Sequence, residues 1–209
     1  ESFPVRRFLR WVYSGASRII AISRFTRESL HTFGVDLEKI EIAFPGAPTP
    51  QEYPESLLAS IRDRFLIRTP HVILAVGRFV RRKGHAALLR AMPDILKRFP
   101  DAQLILVGDG PELEPCVRLA HQLNVRDHVL FPGALSDEEI AALYQLCELF
   151  ALPTTVEPGG HAEGFGLVFV EAGSYGKPVV AGRSGGVEDA VIHNETGIIV
   201  DPDSPAEIS

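Results

Sequence analysis

From Val72 to Val200 the chain alternates short, almost wholly apolar runs with longer stretches of helical period. The runs are V-I-L-A-V at 72–76, Q-L-I-L-V at 103–107, V-L-F at 129–131, E-L-F-A-L at 148–152, P-V-V-A at 178–181 and G-I-I-V at 197–200. A strand with one wet face alternates apolar and polar residues, whereas a strand apolar throughout is covered on both faces. Such strands separated by helices predict an α/β fold, a doubly wound parallel sheet with helices on each side. Six strands suit the order 3-2-1-4-5-6. In that order the chain reverses between its first and fourth strands, and ligands bind beyond the carboxyl ends of strands at this switch point. The loops leaving those two strands are 77–84 and 153–164.

Both loops carry chemistry. The first reads G-R-F-V-R-R-K-G, with Arg78 and Lys83 between Gly77 and Gly84. Arginine offers a fork that matches phosphate oxygens, and lysine adds a mobile point charge. Arg81 and Arg82 read as its solvated members. The second loop runs into E-G-F-G-L-V-F-V-E-A at 163–172, which predicts a glycine-bearing turn opening a helix near 166–175. A helix N-terminus presents unpaired N–H groups and the positive end of the dipole, so it attracts anions. Gly164 and Gly166 let a ligand approach the backbone there. A diphosphate fits between Arg78 and Lys83 on one side and the N–H groups near Phe165, Gly166 and Leu167 on the other. Glu163 and Glu171 flank seven residues. A carboxylate beside a phosphate repels it, so Glu163 is expected to face neutral hydroxyls, such as those of a sugar. The plainer readings are a solvated basic loop and two surface carboxylates.

Gly108-Asp109-Gly110-Pro111 lacks the third glycine of a nicotinamide fingerprint and follows the second strand, so it reads as a turn packed near the crevice. Gly182-Arg183-Ser184-Gly185-Gly186 either admits a ligand or only turns tightly; both readings stay open. Helices are expected near 85–98, 112–123, 137–147 (opened by a Ser136 capping box) and 187–192. Upstream, 5–14 reads as a surface helix with Phe8, Trp11 and Val12 packed and Arg6, Arg7 and Arg10 solvated; contact of that basic face with an anionic membrane is the lesser reading. Strands are expected at 18–22 and 40–44, with a helix over 24–33 capped by Ser23 and ended by Gly34. Residues 45–54, P-G-A-P-T-P-Q-E-Y-P, suit a boundary. The expected division is thus 1–46, the end of a preceding domain with its linker, and 47–209, the sheet domain.

A net charge of −6 over 209 residues argues against phosphate-dominated binding of nucleic acid. The two cysteines, Cys116 and Cys147, fall in expected helices and suit buried thiols in a reducing cytosol. The seven histidines form no zinc motif. No apolar run approaches the ~20 residues of a membrane span. Glu1-Ser2-Phe3-Pro4 is not a secretory signal and lacks an initiator Met, so the chain is expected to begin within a longer protein.

Taken together, G-R-x-x-x-x-K-G at 77–84, V-G-D-G-P at 107–111, E-G-F-G-L-V-F-V-E-A at 163–172, G-K-P-V-V-A at 176–181, G-G-V-x-E at 185–188 and T-G-I-I-V at 196–200 resemble a known family. It is that of the retaining GT-B glycosyltransferases of family GT4 and its relatives, which include bacterial mannosyltransferases, sucrose synthases and glycogen synthases. The resemblance covers nearly the whole chain. It implies the Rossmann-like, donor-binding C-terminal half of a GT-B fold, with residues 18–46 closing the N-terminal, acceptor-carrying domain and the C-terminus stopping where a helix begins. It also implies roles. Arg78 and Lys83 would hold the nucleotide diphosphate beside Gly77 and stabilise leaving-group charge. The backbone of Gly164, Phe165, Gly166 and Leu167 would cradle the distal phosphate. Glu163 would contact donor-sugar hydroxyls, Glu171 the ribose hydroxyls, and Gly133-Ala134-Leu135 would border the base. Arg78, Lys83 and Glu163 are thus the expected catalytic residues. Transfer would retain anomeric configuration and need no metal or cofactor besides the nucleotide-sugar donor. The acceptor would be a glycan or a lipid-linked glycan, nucleic acid would be no partner, and the full-length protein would be cytoplasmic, with peripheral membrane association. Gly159–Gly164 resembles lipid-linked mannosyltransferases, which favours GDP-mannose over a UDP-sugar. A non-catalytic nucleotide-sugar-binding module and a GT-B-fold sugar-nucleotide epimerase are the rival readings.

Overall fold

The structure, a computed structural model, describes residues 3–209, with side chains from Arg7 onward. The readings of Glu1, Ser2 and the side chains of Phe3, Pro4 and Arg6 lie outside the described residues.

The chain opens with helix α1 (Phe3–Gly15), then strand β1 (Ile19–Ala21), helix α2 (Arg24–Phe33) and strand β2 (Ile40–Ile42). β1 and β2 pair in parallel as a small sheet of their own. Ser23 caps α2 through the Thr26 N–H, and Gly34 ends it in the left-handed conformation, as the residue types predict. α1 departs from expectation. Phe8 is 60% and Trp11 72% exposed, and Val12 is exposed as well. The helix is held instead by Arg10, whose Nε donates to the Phe33 carbonyl at 3.0 Å, and by Tyr13, edge-on to the Phe33 ring at 5.9 Å. Docking through that side turns the apolar stripe outward.

Beyond 45–54 comes α3 (Glu55–Arg64), a helix that sequence reasoning missed. It has no side-chain cap after Pro54 and buries only Ile61, so neither a start signal nor an apolar stripe marks it. The regular part follows: β3 (Val72–Val76), α4 (His85–Arg98), β4 (Gln103–Val107), α5 (Leu113–Gln122), β5 (Val129–Gly133), α6 (Asp137–Leu146), β6 (Leu149–Leu152), α7 (Leu167–Ser174), β7 (Val179–Gly182), α8 (Val187–Ala190), β8 (Gly197–Val200) and α9 (Pro205–Ile208). The six strands from β3 to β8 form one parallel sheet in the order β5-β4-β3-β6-β7-β8. This is the doubly wound order that the sequence predicts. Its core is fully buried on both faces, with Leu74, Leu104, Leu106, Phe150 and Leu152 from the strands meeting Leu88, Met92, Leu143 and Phe169 from the helices. The Ser136–Glu139 capping box opens α6. Cys116, in α5, and Cys147, just past α6, are buried free thiols. Burial pushes them up to about 11 and about 12, respectively. Among the described residues no helix is long and apolar enough to cross a membrane.

The first segment is seated on the rim of the large sheet. The Arg24 N–H donates to Asp189 at 2.5 Å, and its guanidinium pairs with the same, nearly buried carboxylate. Thr26 donates to the Gly164 carbonyl at 3.4 Å, and the Phe44 and Phe165 rings stack at 6.2 Å.

Candidate functional site

β3 and β6 are neighbours in the sheet, so the loops that leave them run side by side. Backbone contact sets their spacing. A Cβ on Gly84 would lie 1.9 Å from the Pro153 carbonyl oxygen, so only glycine fits there. The Thr155 N–H donates to the Arg82 carbonyl at 2.8 Å, and the Arg82 N–H donates to Glu157 Oε1 at 3.1 Å. Gly108 and Gly110 press in the same way on the carbonyls of Gly77 and Phe79, which makes 108–111 the packed turn that the sequence predicts. At 182–186 the glycines pack against main chain. Cβ atoms at Gly185 and Gly186 would lie 2.2 Å and 2.1 Å from the carbonyl oxygens of Glu163 and Gly164, so these glycines seat the second loop's main chain.

Within this frame Lys83 and Glu163 meet. Lys83 Nζ donates to Glu163 Oε2 at 2.6 Å, with both side chains only 13% exposed. Arg82, which the sequence assigns to solvent, donates to the same oxygen at 3.1 Å and is 32% exposed. The short 3-10 turn Arg81–Lys83 explains the correction. It turns Arg82 and Lys83 toward the second loop and leaves Arg81 81% exposed, paired with Glu112 at 3.3 Å. Glu163, expected to face neutral hydroxyls, thus also accepts from two cations. Its main chain is fixed on both sides, with its N–H donating to Ser184 Oγ at 3.3 Å and its carbonyl accepting from Gly186 at 2.8 Å.

The other expected residues fall around this pair. Gly77 lies against the aliphatic stem of Lys83, with 3.7 Å between an ideal Cβ and Lys83 Cδ. Arg78 is exposed and its guanidinium makes no hydrogen bond or ion pair with any described residue. Gly164 lies beside Ile22, and Phe165 is buried. Gly166, at φ 97°, is the residue before α7, where a Cβ would strike the Phe169 ring at 2.4 Å. The N–H groups of Phe165, Gly166, Leu167 and Val168 have no acceptor among the described residues, so the helix start offers a set of free donors. Glu171, one turn into α7, is half-buried and lines a separate cleft of about 520 Å³ with Tyr144, Asp137, Glu138 and Tyr53. Leu135 packs half-buried on the core just before α6.

Tyr144, Glu157 and His85 escaped sequence reasoning. Tyr144 is buried on α6 and donates its hydroxyl to Glu171 Oε2 at 3.2 Å; burial and the Glu171 charge raise its pKa, which keeps it a donor. No local pattern links residues 27 positions apart. His85 opens α4, stacked on Phe79 at 4.1 Å, with neither ring nitrogen bonded to any described residue. Burial, aided by the Lys83 charge, lowers its pKa from 6.5 to about 4. The unfolded chain therefore takes up this proton between pH 6.5 and about 4 while the folded chain does not. The resulting stability is intact above pH 6.5 and is lost as pH falls toward 4. Lowering pH from 7 to 5 is expected to cost on the order of 1–2 kcal/mol through this group, read from urea midpoints. The loss should be absent in His85→Phe. Equal pH slopes for wild type and variant would show that His85 is not the titrating group.

Comparison with known proteins follows the same lines. A family model described as glycosyl transferases group 1 matches residues 59–209. A GDP-mannose-dependent alpha-(1-6)-phosphatidylinositol monomannoside mannosyltransferase of Mycobacterium tuberculosis is 36% identical over 95% of this chain and 52% of its own length. A D-inositol 3-phosphate glycosyltransferase of Corynebacterium kroppenstedtii is 33% identical over 94% of this chain and 45% of its own. Among solved structures, Anabaena HepE in complex with UDP and glucose superposes with a TM-score of 0.86 at 26% identity, covering 100% of this chain and 56% of that one. The chain thus spans about half the length of the curated relatives it matches.

Proposed function

Because the chain belongs to the glycosyl transferases group 1 family, we propose that it is the donor-binding half of a retaining glycosyltransferase that carries a sugar from a nucleoside diphosphate, GDP-mannose before any UDP-sugar, to a glycan or lipid-linked acceptor. One observation carries the reading: Lys83 meets Glu163 just before the free N–H groups that open α7, and Glu171 lies at a cleft on the same helix.

When the bond between the anomeric carbon and the diphosphate oxygen breaks, negative charge grows on the leaving phosphate. Lys83, Arg78 and the positive end of α7 would stabilise that charge more in the transition state than in the bound donor, which is what accelerates the step. In this reading side chains and backbone, not a metal, supply the counter-charge. Glu171 would accept from the two ribose hydroxyls. Tyr144 occupies its Oε2, so Oε1 is the oxygen left for the ribose. The mannosyltransferase relative supports GDP, and so do Asp137 and Glu138 on the rim of the Glu171 cleft. Guanine offers adjacent N–H donors on one edge, which carboxylates accept, whereas uracil offers one flanked by acceptors.

The test is calorimetry with GDP, GDP-mannose, UDP and UDP-glucose. GDP should bind, and Glu171→Gln should weaken it about 10-fold, the usual size of a charge-assisted contact. Glu171→Gln binding GDP like wild type would remove the ribose role. Preference for UDP and UDP-glucose would replace the donor named here.

A further inference from the structure

The structure assigns Arg82 a role in the reaction: we propose that it is the positioning residue for Glu163, holding that carboxylate in place when a bound diphosphate takes Lys83. The inference rests on the donor-site reading above and adds a residue to it.

Glu163 and a diphosphate compete for Lys83. Glu163 Oε2 takes hydrogen bonds from both Lys83 and Arg82, and Oε1 takes none from the described residues. Lys83 is also one of the two cations that the donor-site reading gives to the diphosphate. An ammonium on a flexible stem serves the anion with more charge, so an incoming diphosphate draws Lys83 away. Glu163 is then a carboxylate beside new negative charge, and its main chain, pinned by Ser184 and Gly186, cannot withdraw. Only its side-chain torsions remain free. Among the described residues Arg82 is the remaining partner of that carboxylate.

Arg82 is built to remain. Its N–H is bound by Glu157 and its carbonyl by the Thr155 N–H, so its backbone is fastened to the loop that carries Glu163. Lys83, in contrast, has its N–H bonded within its own turn, to Val80. The guanidinium is planar, stays charged and loses less freedom per hydrogen bond than an ammonium. It therefore stays with the Glu163 loop. With Oε2 held by Arg82, Oε1 is presented to hydroxyls of a sugar on the distal phosphate. Bare diphosphate gains nothing from this arrangement; an intact donor does. Arg82 thus contributes to the preference for donor over spent nucleotide.

The experiment compares affinities for a nucleotide sugar and its nucleoside diphosphate, using GDP-mannose with GDP and UDP-glucose with UDP, in wild type, Arg82→Gln, Arg82→Lys, Glu163→Gln and the double variant Arg82→Gln/Glu163→Gln. Arg82→Gln should weaken the sugar nucleotide about 10-fold and the bare diphosphate less than about 3-fold. Arg82→Lys should restore part of the difference. In the Glu163→Gln background, Arg82→Gln should change the ratio no further, because the group that it positions is gone. A change in unfolding midpoint alone, with the ratio intact, would reduce Arg82 to a structural tie. Equal weakening of both ligands would make it one more phosphate cation, and additive losses in the double variant would separate it from Glu163. If wild type binds neither pair, the donor reading itself falls, and the inference with it.

Discussion

Gly84→Ala should cost this fold at least about 3 kcal/mol, the range reached when a substitution forces backbone apart. The residue sits at φ 75°, ψ 14°, where a side chain alone costs roughly 1–2 kcal/mol. The larger cost is the neighbour. The new methyl would lie 1.9 Å from the Pro153 carbonyl oxygen and 2.6 Å from its carbon, and a main chain in the middle of the sheet rim has no rotamer by which to give way. Gly84 also accepts from the Ala87 and Leu88 N–H groups at the start of α4, so shifting it drags the helix start and Lys83 together. Gly176→Ala is the control. Its φ of 69° is similar, but beyond its chain neighbours no described atom lies within 4 Å of its Cβ position, so it should show the conformational cost alone, roughly 1–2 kcal/mol. Urea midpoints decide the matter. Equal losses at the two positions would mean that the contact of Gly84 with Pro153 yields freely.

Lys83→Ala is expected to weaken binding of the nucleoside diphosphate by about 1–3 kcal/mol, or roughly 5- to 150-fold. Two effects add. The ammonium that neutralises phosphate is lost, and Glu163 keeps its charge in the same place with only Arg82 to balance it. Arg81→Ala should have far less effect, because that side chain lies in solvent against Glu112, where ion pairs are worth little. The comparison is made by calorimetry at one ionic strength. Equal losses at positions 81 and 83 would mean that the loop attracts anions only through its summed charge.

The sheet order, both loops and the glycine-bearing helix start are legible in the sequence because each depends on local pattern. Apolar runs betray covered strands, Ser136 with Glu139 betrays a helix start, and glycine between a strand and a helix betrays a close approach. What stayed hidden depends on partners far away in the chain. Tyr144 looks like any buried aromatic until α7 delivers Glu171. Arg82 looks like any basic loop residue until the 3-10 turn rotates it. The α1 stripe of Phe8, Trp11 and Val12 has the spacing of a packed face, yet which side of a helix docks is decided by the tertiary contacts of Arg10 and Tyr13. Helix α3 shows the opposite failure: with one buried residue and no cap, it has almost no local signature.

The glycine contacts along the rim have a practical meaning for anyone reshaping this crevice. Its width is gauged by carbonyls of Gly77, Phe79, Pro153, Glu163 and Gly164 against bare Cα atoms at 84, 108, 110, 185 and 186. Only glycine leaves Cα bare, so no side chain can be placed at these positions without forcing the gap open. A redesign for a bulkier or smaller ligand has little to gain at these positions. The adjustable surface is the exposed lining, Arg78 and Leu167 at the mouth and Asp137 and Glu138 at the neighbouring cleft, where a substitution alters shape and charge while the gauge beneath holds its setting.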